Sequence, residues 1–505
     1  MAARLTTFVI VGIIGITLIA GLIVGAQRDD DGLVDLIVHN AVVFTGDVGR
    51  DMPQAVAVRG NQILKVGSNR EILRMQRPQT VTIDAQGGAV VPGFNDAHLH
   101  LVRGGLTLDT ADLSGVTSVA EAIERAQAWA TDDPERAWIV GRGFDATQVT
   151  MDDRTARAAL DESFKTRPVQ LISNDSSVAW VNSAALALAK IGRATADPVD
   201  GRIGRTSKGE ATGVLEGSIV DRVQALLPEP TREDRTRALF AAIAEAQRHG
   251  ITSLQNADGE ALDFELLDAA RKDGAVDMRV YSALPVDSAR TDADVASLDE
   301  VLKRYPDDPL FKAGAARVAT DGIHRDALNK LVRLLDSRGW QVMIEADDPD
   351  EVDRAQAAFA HAERSNAQPS RERRHRVEHQ HRHFTSVGDK LALGSDWPDG
   401  PLSPMKVVES ATATLSLEKA LQAYTVNGAY ASYDEQRKGF LKAGMLADIA
   451  ILSEDIFSVG PDRLSSVTVA YTIFDGRVVH PGKAVRGLTA ARPQLPTPNA
   501  QLPTP

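Results

Sequence analysis

Residues 92–100 read PGFNDAHLH and follow the apolar run GAVV at residues 88–91. This pattern predicts a buried strand, and side chains two positions apart in a strand point to the same side. His98 and His100 therefore share one face where the strand ends. Neutral imidazole is the commonest protein ligand for zinc and similar ions, so the pair predicts a metal site. The alternative, two unrelated surface histidines, is disfavoured because the chain has only 11 histidines in 505 residues.

The composition indicates a large folded protein with an acidic surface. The length allows two or three domains, or one large barrel with additions. A hydrophobic content of 43% is ample for a packed core. The formal net charge of −13 disfavours nucleic acid as a partner. Cysteine is absent, which excludes disulfides, thiolate zinc sites and thiol nucleophiles.

The N-terminal segment, residues 1–28, predicts a single-pass transmembrane anchor. Residues 5–26 carry no charge, and a membrane span needs about 20 apolar residues. Arg4 precedes this stretch and three acids follow it at residues 29–31, so the positive-inside rule places the N-terminus in the cytoplasm and the main domain in the periplasm or outside the cell. A cleaved signal peptide is the alternative, although its apolar core is usually about 7–15 residues long.

The rest of the chain divides into a long middle with β-rich segments on both sides. Residues 35–91 and 439–483 show short alternating runs, which predict one composite β-sandwich domain built from both chain ends. Residues 92–438 alternate apolar runs with predicted helices at 118–130, 231–249, 326–338 and 349–364. The Pro-rich residues 484–505 repeat QLPTP and predict a disordered tail, with a docking segment as the alternative.

This alternation predicts an α/β fold, a (β/α)8 TIM-like barrel. The pattern leaves open whether the barrel is complete. Runs near Ile139 and Val169 would fill out the strand count, although an inserted segment explains them better. Catalytic groups of such barrels lie at the C-terminal ends of the strands. The candidates that directly follow apolar runs are His98, His100, Glu345, His379 and Asp396.

Several motifs together identify the chain as similar to a known family. They are PGFNDAHLH at residues 92–100, RPV at 167–169, AWVNSAAL at 179–186, TGVLE at 212–216, RVEH at 376–379 and GSDWP at 394–398. The chain resembles the amidohydrolase superfamily over residues 35–483, and within it the amidohydrolase 3 branch, which includes N-substituted formamide deformylases. The resemblance implies hydrolysis of a carbon–nitrogen bond with water activated by a divalent metal ion.

The resemblance also implies roles for particular residues. His98, His100 and His379 match metal ligands of the family, and Asp396 matches its ligand and general base. A divalent ion lowers the pKa of bound water from about 15.7 towards about 7, and a carboxylate can pass the water's proton to the leaving amine. The alternative for Asp396 is a turn residue before Trp397. His379 also begins a run with His381 and His383, for which a basic surface run is the better explanation.

Three family positions are altered in this chain. Arg317 stands where the family carries a lysine whose carbamate bridges two metals, and a guanidinium stays charged and has no lone pair to donate. Glu345 replaces a histidine and can still bind a metal through oxygen. Arg317 and Glu345 are therefore predicted to form a salt bridge in place of a second metal. Ser177 replaces a substrate-contacting histidine.

Two hypotheses remain from the sequence. The first is a membrane-anchored, metal-dependent amidohydrolase that hydrolyses an amide or formamide-like small molecule with one ion, preferably zinc, rather than two. The retained His98, His100 and Asp396 favour it. The second is a degenerate amidohydrolase, a pseudoenzyme without a metal that serves as an interaction or scaffold subunit with protein partners at the membrane. Arg317, Ser177 and the short separation of 17 positions between His379 and Asp396 favour it.

Overall fold

The computed structural model describes residues 33–481 apart from 51, 133, 150–152, 288, 289, 291, 321, 322, 347, 370, 381–383 and 389. The predicted anchor in residues 1–28 and the predicted tail in residues 484–505 lie outside the described residues. Within the described part of the chain, no helix is long and apolar enough to cross a membrane.

The strands fall into an N-terminal group, a middle group and a C-terminal group. The first group is β1 (Leu36–His39), β2 (Val42–Val43), β3 (Ala55–Arg59), β4 (Gln62–Gly67), β5 (Val81–Asp84) and β6 (Ala89–Pro92). The middle group is β7 (Phe94–Leu99), β8 (Ala111–Asp112), β9 (Ile139–Phe144), β10 (Val169–Ser173), β11 (Val178–Val181), β12 (Gly201–Arg205), β13 (Ala211–Gly217), β14 (Ile251–Asn256), β15 (Arg279–Pro285), β16 (Phe311–Ala319), β17 (Gln341–Glu345), β18 (Arg376–Gln380), β19 (Phe384–Val387) and β20 (Lys390–Leu393). The last group is β21 (Ile449–Leu452), β22 (Val469–Phe474) and β23 (Arg477–Pro481).

The helices lie mostly between strands of the middle group, and a short 3₁₀ helix spans Pro461–Ser466. They are α1 (Asn69–Leu73), α2 (Leu101–Leu108), α3 (Val119–Asp132), α4 (Asp153–Ser163), α5 (Ser183–Leu188), α6 (Ile219–Gln224), α7 (Arg232–Arg248), α8 (Ala261–Lys272), α9 (Asp292–Ser297), α10 (Asp299–Arg304), α11 (Arg325–Ser337), α12 (Pro349–Ser365), α13 (Pro404–Ala411), α14 (Leu417–Tyr424) and α15 (Val426–Ala431).

The four helices predicted from the sequence are confirmed to within two residues at each end. The start of α7 shows the physical reason for this accuracy. The Thr231 side chain accepts a hydrogen bond from the backbone N–H of Asp234, and the Asp234 carboxylate accepts one from the backbone N–H of Thr231. This reciprocal capping satisfies N–H groups that have no partner within the helix.

Eight strands form the barrel, which confirms the predicted α/β barrel fold. Their order is β20-β19-β18-β17-β16-β15-β14-β7, and neighbours from β18 to β7 run parallel. The barrel nearly closes between β20 and β7, where the backbone N–H of Asp396 donates to the carbonyl of His98 over 2.8 Å. The backbone N–H of His100 donates in return to the carbonyl of Trp397 over 2.9 Å.

The interval between His379 and Asp396 makes one barrel strand antiparallel. β19 runs antiparallel to both β18 and β20. Only three residues, 381–383, connect β18 to β19, whereas a parallel connection needs a crossover of a dozen or more residues. The short interval therefore permits only a hairpin at this point, and the sheet still reaches eight strands.

A separate six-stranded sheet is inserted between β7 and β14. Its order is β12-β13-β11-β10-β9-β8. The runs at Ile139 and Val169 lie in β9 and β10, so they belong to this insertion and not to the barrel, as the sequence favours.

The two β-rich ends of the chain meet in one β-domain. One sheet has the order β4-β3-β1-β5, and the other has the order β2-β6-β21-β22-β23. β6 pairs antiparallel with β21, with Val90 opposite Ile451, and both side chains lie in the same buried core as Val38 and Ile473. β6 continues through Gly93 into β7, so this domain holds the start of the strand that carries both histidines.

A buried ion pair joins the barrel to the β-domain. The Arg279 Nε donates to Asp448 Oδ2 over 2.7 Å, and both side chains are 4% exposed. We expect Arg279→Met to lower the free energy of unfolding by about 3–5 kcal/mol, because it leaves a buried carboxylate without its main partner. Thermal or denaturant unfolding of the full chain measures this.

Arg477 provides the matched control, because it also joins the two parts of the chain, through Asp277 at 2.6 Å, but is 65% exposed. Arg477→Met should cost less than about 1 kcal/mol. Equal losses of unfolding free energy in the two variants would show that burial of the Arg279 pair does not increase its contribution to stability.

Candidate metal centre

Two histidines and one carboxylate converge at the C-terminal end of β7. His98 and His100 are 2% and 4% exposed. The Nε2 atoms of His98 and His100 lie 3.6 and 3.3 Å from Asp396 Oδ1. One ligand atom from each of the three residues can be chosen so that all lie within 4.8 Å of one another. The shared face predicted from the two-residue spacing therefore brings both rings to one point.

The backbone around Asp396 is held against β7. Asp396 has a φ of 55°, in the left-handed region that aspartate tolerates better than most residues. The preceding residue, Ser395, donates its backbone N–H to Asp96 Oδ1 over 3.0 Å. Together with the bond from Asp396 N–H to the His98 carbonyl, this fixes the carboxylate beside the imidazoles.

A second carboxylate lies behind each histidine. His98 Nδ1 hydrogen-bonds Glu378 Oε2 at 3.1 Å, and His100 Nδ1 lies 2.8 Å from Asp258 Oδ2. A carboxylate on one ring nitrogen favours the tautomer that leaves the other nitrogen's lone pair available to a metal. Both Nε2 atoms, which face Asp396, are the nitrogens left available in this way.

The environment of Glu378 keeps it ionised. Its side chain is fully buried, which by itself raises the pKa. The Arg376 guanidinium, 3.0 Å away, and hydrogen bonds from His98 and Thr385 outweigh this and lower the pKa of Glu378 to about 2. Asp258 behaves similarly, because His100 and neighbouring arginines lower its pKa against the effect of burial.

The donor set fits a divalent metal ion. Two imidazole nitrogens and one carboxylate oxygen are the three protein ligands that a catalytic zinc site typically uses. Glu378 supplies the outer hydrogen bond to His98 that such ligands require, and Asp258 lies in ionic contact with His100. The side chain of His379, a further predicted ligand, lies outside the described residues, as do His381 and His383.

The predicted ion pair between Arg317 and Glu345 is confirmed. Arg317, at the end of β16, donates from Nε to Glu345 Oε1 over 2.6 Å and from Nη2 to Oε2. Glu345 Oε1 lies 3.8 Å from His98 Nε2, so the ion pair is next to the metal site. Among the described residues, Glu345 is not part of the group of three converging ligands, and its role as a metal ligand stays a prediction.

Ser177 lies in the turn between β10 and β11. Its hydroxyl donates to Asp175 Oδ1 over 2.8 Å, and its backbone N–H lies 3.1 Å from the same oxygen. Ser177 thus forms a local turn with Asp175. Its neighbour Ser176 accepts a hydrogen bond from Arg142 Nη2 over 2.7 Å.

Sequence reasoning missed three residues of this site. Glu378 was part of the RVEH motif but had no role assigned to it. Asp258 comes two residues after the end of β14, so the rule that places catalytic groups after barrel strands could have found it. Arg103 lies 3.6 Å from Asp258 Oδ2 and 2.6 Å from Asp399 Oδ2, and no sequence signal marks it.

A mostly parallel barrel with two histidines and an aspartate converging at its strand ends is typical of metal-dependent hydrolases of the TIM-barrel class. The model of the amidohydrolase family matches residues 81–382 and 382–480. The chain therefore belongs to the amidohydrolase family, in its amidohydrolase 3 branch.

Individual proteins show the same relationship. The chain is 25% identical to protein LONG AFTER FAR-RED 3 of Arabidopsis thaliana, over 89% of this chain and 92% of that protein. It is also 25% identical to N-substituted formamide deformylase of Arthrobacter pascens, over 88% and 97%. An uncharacterized metal-dependent hydrolase of Pyrococcus furiosus shares the fold, with a TM-score of 0.61 at 19% identity over 82% of this chain and 98% of that one.

The family assigns the class of reaction. The chain is a hydrolase that acts on carbon–nitrogen bonds other than peptide bonds, and its substrate is a small molecule.

Glu378 and Asp258 are expected to strengthen zinc binding at this site. Glu378→Gln and Asp258→Asn should each weaken zinc binding by about 10–100-fold, because each removes the charge that orients one imidazole. Competition with a chromogenic zinc chelator measures the affinity. The control is Glu300→Gln, whose side chain is 75% exposed and which should bind zinc as the native chain does. Native affinity in both site variants would contradict the proposed ligand geometry.

Proposed function

We propose that the chain hydrolyses an amide or formamide-like bond of a small molecule with a single divalent ion, preferably zinc. The observation that carries the proposal is the arrangement of His98 and His100, whose Nε2 atoms face Asp396 while their Nδ1 atoms lie against ionised carboxylates. The name of the Arthrobacter pascens relative, N-substituted formamide deformylase, supports the choice of substrate class.

Asp396 is the proton carrier in this proposal. Its side chain is 23% exposed, in contrast to the two buried histidines beside it, so substrate and water reach it. The carboxylate takes a proton from the attacking water and returns it to the leaving amine. A bound divalent ion would polarise the substrate carbonyl and make that water more acidic. His98 and His100 would hold the ion, and Glu378 and Asp258 keep their rings in place.

The ion pair beside His98 supports one ion rather than two. Arg317 carries a permanent positive charge and cannot donate an electron pair to a metal. Glu345, its partner, is held on both carboxylate oxygens by the guanidinium. Arg317 thus neutralises the negative charge of Glu345, which a second metal ion would otherwise neutralise. The retained histidine–carboxylate pairs favour a working hydrolase over the scaffold hypothesis.

We propose further that residues 5–26 anchor the protein in a membrane with the hydrolase domain outside the cytoplasm, because this uncharged segment is long enough to cross a bilayer. Fractionation of cells that express the full chain should recover it with the membranes after a high-salt wash. External protease should digest the domain in spheroplasts. Recovery in the soluble fraction would contradict the anchor. Protection from the protease would contradict the placement of the domain outside the cytoplasm.

The catalytic proposal predicts the behaviour of an Asp396→Asn variant. The full chain is purified in detergent, stripped with a chelator, reloaded with zinc and assayed on N-substituted formamides and simple amides. Activity should return with about one zinc per chain. Asp396→Asn should lower kcat/KM by about 10²–10⁴-fold, since it removes the proton carrier.

The control is Asp292→Asn, an exposed aspartate paired with Lys330, which should keep native activity. Arg317→Lys adds a second test, because it supplies the amine that the family's bridging carbamate needs. It should leave zinc at about one per chain if the Glu345 pair re-forms. Two zinc ions in the native chain, or full activity after chelation, would refute the single-ion proposal.

A further inference from the structure

A cavity of about 560 Å³ lies between the barrel and the inserted sheet. Its floor is formed by α2, its walls by β9 and β10, and its far side by the segment that connects α6 to α7. About half of the lining residues are apolar, among them Leu106, Trp138, Val140, Ile172, Leu227 and Pro398. Concave sites with apolar walls and a few polar groups are typical of small-molecule binding.

Two polar residues of the cavity lining, Gln170 and Arg142, come from one face of the inserted sheet. β9 and β10 run parallel, with Val140 beside Gln170 and Arg142 beside Ile172. All four residues line the cavity. Strands lie about 4.8 Å apart and alternate residues along a strand about 6.6 Å apart, so the bases of Gln170 and Arg142 are diagonal neighbours about 8 Å apart.

Gln170 is the unusual member of this face. Its side chain is 1% exposed. Among the described residues, neither its amide nitrogen nor its amide oxygen has a hydrogen-bond partner. Proteins rarely leave a buried amide in this state. A ligand that offers an acceptor and a donor side by side, as an amide group does, would satisfy both atoms.

Arg142 supplies the charge. It is 22% exposed and donates to the neutral Ser176 hydroxyl, while the nearest carboxylate in its ion pairs, Asp399, is 3.9 Å away. Burial lowers the pKa of Arg142 more than Asp399 raises it. The other two guanidinium groups at the cavity have closer partners, since Arg103 lies 2.6 Å from Asp399 and Arg136 lies 3.0 Å from Asp109.

The acidic side chains that line the cavity do not neutralise Arg142. Asp109 is the partner of Arg136. The Asp234 carboxylate accepts hydrogen bonds from the Thr231 N–H and hydroxyl and pairs with Arg237. Glu229 is exposed at the rim. The interior of the cavity thus offers one guanidinium suited to a carboxylate and one amide suited to another amide.

We propose that this cavity is a second ligand site, separate from the metal centre, for N-acyl amino acids. The ligand's carboxylate pairs with Arg142, its amide pairs with Gln170, and its acyl group packs on Trp138 and Leu227. In such molecules one carbon separates the carboxylate from the amide. This short separation matches Arg142 and Gln170, whose long side chains start from diagonal positions on neighbouring strands. The proposal does not rest on the reaction at the metal centre.

Arg103 connects the two sites. It lines the cavity and lies 3.6 Å from Asp258, which contacts the metal-site residue His100. A ligand carboxylate at Arg142 also lies near Asp399, the partner of Arg103.

Calorimetric titration of the full chain in detergent with hippurate, N-benzoylglycine, tests the proposal. Hippurate should bind at about one molecule per chain. Benzoate lacks the amide and benzamide lacks the carboxylate, so each should bind at least about tenfold more weakly. Equal binding of all three would show that only the aromatic ring is recognised and would overturn the proposal.

Variants locate the binding. Gln170→Leu and Arg142→Met should each weaken hippurate binding by about tenfold or more. Gln170→Leu should also keep or raise the melting temperature of the ligand-free protein, because it removes an unsatisfied buried amide, and should lose the stabilisation that hippurate confers on the native chain. His98→Ala disrupts the metal centre and should leave hippurate binding unchanged.

Two results would refute the second site. The first is native hippurate affinity in both Gln170→Leu and Arg142→Met, or no binding by the native chain at 10 mM, a concentration on the order of tenfold above a millimolar Kd. The second is loss of hippurate binding in His98→Ala, which would place the ligand at the metal centre.

Discussion

The site depends on one buried interaction, the contact of Glu378 with His98. Glu378 is fully buried and ionised, which is costly unless a counter-charge is at hand. Arg376, two residues earlier on the same strand and also fully buried, provides that charge. The barrel thus keeps an arginine and a carboxylate in its interior, and the carboxylate fixes the His98 ring. Without this pair the lone pair of Nε2 would have no defined direction.

The barrel shows how a shortened chain can keep such a site. Between β18 and Asp396 the chain forms a hairpin and one further strand. Asp396 still reaches the histidines because its backbone bonds directly to β7. These backbone contacts set the position of Asp396, although none of the described residues between β18 and β20 is helical.

Local rules predicted much of the site, and long-range pairing determined the rest. The period of a strand was enough to place His98 and His100 on one face, and charge complementarity was enough to pair Arg317 with Glu345. Asp258 meets His100 only because β14 is the neighbour of β7, and strand order is not written in local sequence. The antiparallel β19 and the unpaired Gln170 likewise depend on which strands become neighbours.

The central claim is that one divalent ion is held by His98, His100 and Asp396. A crystal structure of the zinc-loaded protein, with diffraction recorded above and below the zinc absorption edge, tests it most directly. The account predicts one anomalous peak about 2.0–2.2 Å from both Nε2 atoms and from an Asp396 oxygen, with the Arg317–Glu345 pair intact. Two peaks, or a single peak bound elsewhere, would contradict it.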